Sequence, residues 1–234
     1  MTLKTNARIA GFTFLFYIAV GITSMVLFRQ ATSGEGIAAK LASIAQHTTD
    51  VRLSVLLGLF QAFSALVLAV TLYAITREQD SDLARLGLIC RVCEGLIGGL
   101  SVLGTLSLLW LATSTGALEA EAAATHTLGA YLLRGDMAFT ATFFAVGSTL
   151  FSYLFLRGRM IPVPLAWLGV VGSALLVVGL PLQLAGFFRG LGAQLMWLPV
   201  AVFELTLGPW LLIKGVATHH ALSAQETSRA IAQY

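Results

Sequence analysis

The chain alternates long apolar runs with short polar ones. Six apolar blocks cover residues 9–28, 53–75, 86–112, 137–156, 165–184 and 195–213. At about 1.5 Å of rise per residue, a helix of roughly 20 residues crosses a hydrocarbon core of about 30 Å. A water-soluble core has no need of apolar runs of this length. The pattern therefore predicts an all-α, polytopic membrane protein. Residues 1–214 are expected to form a single bundle of six transmembrane helices, and the polar residues 215–234 a tail.

The connections carry patterns of their own. Residues 29–52 are polar, but Ile37, Leu41 and Ile44 recur at i, i+4 and i+7. That spacing predicts a short amphipathic helix in the first exterior loop, either lying on the membrane surface or packed over the bundle. Arg77–Arg85 and Arg157–Pro164 are short charged turns, and 113–134 is a second long connection. The third span has an ambiguous start. Gly95–Ala112 is 18 uncharged residues, barely enough to cross, and in that register Arg91 and Glu94 sit at the interface, where Arg91 can snorkel. A helix entering at Leu86 would instead carry Glu94 about 12 Å inward.

The first block follows Lys4 and Arg8. It is longer than a secretory signal core, and Leu27-Phe28-Arg29 is a poor cleavage site, so it reads as a retained span.

Composition agrees with the pattern. Charged residues make up 11% of the chain, against about 25% in soluble domains. The formal charge of +3 does not point to nucleic acid, because the basic residues collect at the ends of spans. Eight of them (Lys4, Arg8, Arg77, Arg85, Arg157, Arg159, Lys214, Arg229) fall on one side. Five (Arg29, Lys40, Arg52, Arg134, Arg189) fall on the other. The excess predicts a multi-pass protein of the bacterial plasma (inner) membrane with both termini cytoplasmic.

Candidate chemistry lies inside the spans. Glu204 has nine uncharged residues before it, Leu195–Phe203, and nine after it, Leu205–Ile213. A carboxylate near the bilayer midplane costs about 2.5–3.5 kcal/mol on insertion scales, so it is expected to face a partner or a wet cavity. The candidate partners are Arg91, Gln61, Tyr73 and Thr206. Arg91 and Glu94 share a helix face at i, i+3. A cluster of Glu204, Glu94 and Arg91 has two carboxylates and one guanidinium, leaving one unmatched negative charge. Burial disfavours such a charge, which suits proton or cation coupling. Pro199 and Pro209 flank Glu204 and free backbone carbonyls nearby. The third and sixth spans each carry a glutamate, as an inverted repeat of three spans would allow.

Other chemistries find little footing. His47, His126, His219 and His220 all lie outside the spans, so no metal or haem cofactor is expected within the bilayer. Cys90 and Cys93, one turn apart on an apolar helix with no third cysteine, read as packing residues. There is no G-x-S-x-G, no P-loop and no G-x-G-x-x-G opening a helix after a strand. Asp136 reads as a helix-end charge. Signals for an enzyme are weak, and an intramembrane enzyme is the least favoured reading.

Four stretches resemble a known family. They are Arg8-Ile9-Ala10-Gly11, Ala69–Ile75 (AVTLYAI), the Arg-x-x-Glu of Arg91–Glu94, and a closing half of Arg157–Pro162 with Phe203-Glu204 through Lys214-Gly215. The chain resembles the uncharacterised bacterial membrane family called domain of unknown function 4386. The resemblance implies a six-span membrane protein and no known activity. It marks the Arg-x-x-Glu and the late glutamate as the positions of interest.

Two functional expectations follow. In one, the chain is a small transporter or ligand-binding protein whose site is Glu204, Arg91, Glu94 and Gln61, with the lipid bilayer and a small ligand or ion as partners. In the other, it is a non-catalytic membrane subunit or regulator, and the same cluster fixes helix register.

Overall fold

The structure, a computed structural model, describes residues 1–114, 122–134 and 137–217. The described residues form nine helices and no strand: α1 (Leu3–Ala31), α2 (Gly36–Gln46), α3 (Thr48–Thr76), α4 (Ser81–Thr113), α5 (Ala122–Arg134), α6 (Met137–Arg157), α7 (Val163–Leu184), α8 (Leu191–Leu195) and α9 (Leu198–Ile213). Six helical segments are long and apolar enough to cross a membrane. They centre on α1, α3, α4, α6, α7 and α9, the six expected spans.

Several helices overrun the apolar blocks, and two of them, α1 and α4, start at side-chain caps in the polar connections. Thr2 caps α1 by accepting a hydrogen bond from the Thr5 N–H at 3.2 Å. The Asp80 carboxylate caps α4 through the N–H groups of Asp82 and Leu83, both at 3.2 Å. Those backbone donors, with Arg157 beside them, hold the Asp80 carboxyl below its ordinary range. Arg157 also reaches Asp80 across 2.9 Å, tying the α3–α4 turn to the end of α6.

The sixth span differs from the expected single helix over 195–213. The chain turns at Met196-Trp197, leaving the five-residue α8 ahead of the sixteen-residue α9. Pro199 sits in the first turn of α9, where its missing N–H costs nothing. At about 24 Å, α9 alone falls short of the bilayer core, and α8 completes a 23-residue crossing.

The spans pack in a closed circuit. Each touches the next in chain order, α1 on α3, α3 on α4, α4 on α6, α6 on α7 and α7 on α9, and α9 returns to α1. Glycines permit the closest approaches. A Cβ on Gly11 would lie 2.5 Å from the Leu212 nitrogen and 2.6 Å from the Gly208 oxygen. On Gly172 it would lie 3.0 Å from the Val200 nitrogen. This is the small-residue packing expected where lipid provides no hydrophobic drive between helices. The circuit's outer face is apolar as well, with Phe12, Phe63, Leu100, Trp110, Val171 and Val178 all exposed.

The amphipathic helix of the first long connection is α2. It packs over the bundle, burying Leu41 and Ile44 in a cluster with Leu108, Leu109 and Leu111 of α4. Gly129 of α5 closes against Leu41 and Ile37. The readings placed on Asp136 and on the tail beyond 217 fall outside the described residues.

Candidate functional site

The helix of the third span, α4, begins at Ser81, ahead of both Leu86 and Gly95. Arg91 lies about 15 Å along the helix and Glu94 about 20 Å. Both are buried inside the bundle, at 1% and 4% relative exposure. One helical turn apart, they present to the same face, and Arg91 Nη1 lies 2.9 Å from Glu94 Oε2.

Side chains from three other spans close on this pair. From α1, the Tyr17 hydroxyl donates to Glu94 Oε1 at 2.8 Å. Its ring lies beneath the guanidinium, 5.8 Å from the Arg91 Cζ. From α6, the Phe144 ring centroid is 5.0 Å from the same atom, and Trp197 stacks behind Phe144 at 6.3 Å. Two aromatic faces thus flank the cation, an arrangement worth about 2 kcal/mol or more where water is excluded. Also on α6, Gly147 leaves room for the arginine stem: a Cβ there would sit 3.0 Å from Arg91 Cγ. From α9, Glu204 is buried at 7% exposure, attracted by Arg91 and repelled by Glu94.

The cluster is close but incompletely bonded. Nη1 of Arg91 and Oε2 of Glu94 meet only each other, as an ion pair, and Nε and Nη2 of Arg91 have no hydrogen-bond partner among the described residues.

Other expected members stand apart. Gln61 is half-buried on α3, with its amide beside Gly21 of α1. It makes no hydrogen bond to Arg91, Glu94 or Glu204. Thr206 is exposed on the outer face, and its hydroxyl donates to the Val202 carbonyl at 2.8 Å. Tyr73 is half-buried without a bond to Glu204. Pro209 removes the N–H that would bond the Leu205 carbonyl, and Leu205 faces outward. Cys90 and Cys93 are free thiols, and Cys90 is buried beside Gly147. Among the described residues, no three His, Cys, Asp or Glu side chains gather as a metal site would require.

Tyr17 and Phe144 were not anticipated from the sequence. Tyrosine in a span usually belongs to the interfacial belt. Tyr17 lies fourteen residues into α1, and that depth was the available signal. Phe144 is one of fourteen phenylalanines and carries no such mark.

The model of the family described as domain of unknown function (DUF4386) matches residues 9–215. The chain belongs to the DUF4386 family. No curated protein and no solved structure matches it. The DUF4386 match covers all six spans and every member of the cluster, so the ion pair and Glu204 lie within the family's domain.

Proposed function

We propose that this six-span protein binds a small polar ligand or ion at Arg91, Glu94 and Glu204, as a small transporter or membrane-embedded binding protein. The supporting observation is unused hydrogen-bonding capacity in a buried place. Arginine has five N–H donors, and buried polar groups in native proteins are nearly always bonded. Here two buried guanidinium nitrogens, Nε and Nη2, have no hydrogen-bond partner among the described residues, and Nη1 meets only the Glu94 carboxylate. A structural knot would be expected to bond its own members. One positive and two negative charges favour a monovalent cation, a proton included, as the neutralising ligand.

Glu204→Gln tests this reading, because it keeps the shape and removes a charge. The purified variant should melt near the parent protein. Its stabilisation by sodium, potassium or ammonium across a pH series should weaken about 10- to 100-fold, matching about 1.5–3 kcal/mol for a hydrogen bond to a charged group. An unchanged ion response in a folded variant would remove Glu204 from the site.

A second reading has one observation in its favour. Arg91 is enclosed, with Gly147 against its stem and aromatic rings on two sides. That is how an architectural residue would be held in a non-catalytic membrane subunit. On this reading Glu204→Gln lowers the melting temperature and no ion response exists to be lost.

Both termini are proposed to be cytoplasmic in a bacterial inner membrane. Support comes from the basic turns at Arg77–Arg85 and Arg157–Arg159, which lie at the same end of the bundle as Lys4, Arg8 and Lys214. A reporter active only outside the cytoplasm should be silent when fused after Arg159 and active when fused after Arg189. The reverse pattern would invert the assignment.

A further inference from the structure

A cleft at the basic end of the bundle lies between the α6–α7 turn and the end of α9. Its walls are Arg159, Met160, Ile161, Pro162 and Val163 on one side and Trp210 with residues 214–217 on the other. The Ala217 N–H donates to the Met160 carbonyl at 2.9 Å, pinning the two sides together. Two cations near this end are neutralised by carboxylates, Arg157 by Asp80 and Arg85 by Asp82. Arg159 and Lys214 have none within 4 Å among the described residues. Both side chains rim this cleft.

The backbone singles out Arg159 further. Its φ is +47°, the left-handed region in which a side chain is strained and glycine is preferred. Glycine is present in the turn, but one residue earlier. At Gly158 a Cβ would lie 2.6 Å from the Gln79 side chain, so the glycine there serves close packing. The strained position is left to an arginine. Positive-inside placement alone requires a cation near the span end. It does not require one in a left-handed turn beside an apolar cleft.

We propose that this cleft holds the headgroup of an anionic phospholipid, with its phosphate between Arg159 and Lys214. The chemistry is that of an amphiphile. The cations meet a phosphate, while Pro162, Val163 and Trp210 offer an apolar surface to the glycerol and upper acyl chains. The place is right for a lipid: Val163 and Ile213 are exposed where apolar helix surface gives way to charged turn. A basic recess between span ends, on the side proposed above to be cytoplasmic, suits an anionic headgroup, at about 1 kcal/mol per cation. The inference uses none of the ion-cluster residues and stands apart from the function proposed above.

The test is lipid titration of the purified, detergent-solubilised protein, read by native mass spectrometry and by melting temperature. Phosphatidylglycerol should bind and raise the melting temperature, whereas phosphatidylcholine and inorganic phosphate should not. Arg159→Gly and Lys214→Gln should each weaken phosphatidylglycerol binding about fivefold, and the pair about 25-fold. Arg159→Gly relieves the left-handed backbone, so it should fold at least as well as the parent without lipid. Arg52→Gln, at the opposite end, should leave binding unchanged. Equal binding of phosphatidylcholine, an equal shift with inorganic phosphate, or full binding by the folded double variant would each overturn the proposal.

Discussion

Arg91→Met is expected to destabilise the protein by about 3–5 kcal/mol, the cost of removing one partner from a buried ion pair. The arginine is the cation of a cluster containing Glu94 and Glu204, and its loss leaves two buried carboxylates that repel each other. Tyr17 would still donate one hydrogen bond to Glu94, which is too little to offset a stranded charge. The packing loss is smaller, because methionine fills much of the space beside Gly147 and Phe144. A double-mutant cycle separates these effects. In a Glu94→Gln background the same Arg91→Met change should cost much less, because one stranded charge has gone. Melting of the four proteins in one detergent provides the comparison. Equal costs in both backgrounds would mean that Arg91 and Glu94 do not interact energetically.

Gly11→Ala should be nearly as damaging, through sterics alone. The added methyl would meet the Leu212 nitrogen at 2.5 Å, the Gly208 oxygen at 2.6 Å and the Leu212 Cα at 3.0 Å. All three are backbone atoms of α9, so no rotamer change relieves the clash and the helices must separate. Overpacking of this kind costs about 1–3 kcal/mol, and this site belongs at the upper end. A second effect follows from geometry. Tyr17 lies six residues beyond Gly11 on α1, and Glu204 lies four residues before Gly208 on α9. Parting α1 from α9 therefore displaces two members of the ion cluster. Gly104→Ala is the control, since a Cβ there meets nothing within 4 Å. It should be neutral, or gain about 0.5–1 kcal/mol from helix propensity. Equal melting temperatures for the two variants would refute the close-packed seam.

The candidate site was partly legible before any coordinates. Glu204 could be placed because it interrupts an apolar run midway. Arg91 and Glu94 could be paired by their one-turn spacing, but hydropathy shows neither which way the pair faces nor where α4 begins. That start is set by the Asp80 cap, a contact of two backbone N–H groups that hydropathy does not register. Gln61 looked equivalent to them as a polar residue within a span. It lies instead at the α1–α3 seam beside Gly21, because the rotation of α3 points it there.

Taken alone, the amino-acid order determined the class of protein, the number of spans, the helix in the first long loop and the presence of charge in the membrane. Each of these is local, written in run lengths, spacing and the cost of a carboxylate among hydrocarbon residues. Only the tertiary structure decided which spans are neighbours, that α9 closes onto α1, and that Tyr17 and Phe144 meet Arg91. The reason is that these helices are apolar on nearly every face. Hydropathy then says where a helix runs along the membrane normal but not how it is turned about its own axis. The turn is set by contacts such as Gly11 on Gly208 and Gly147 on Arg91, which exist only once the helices have come together.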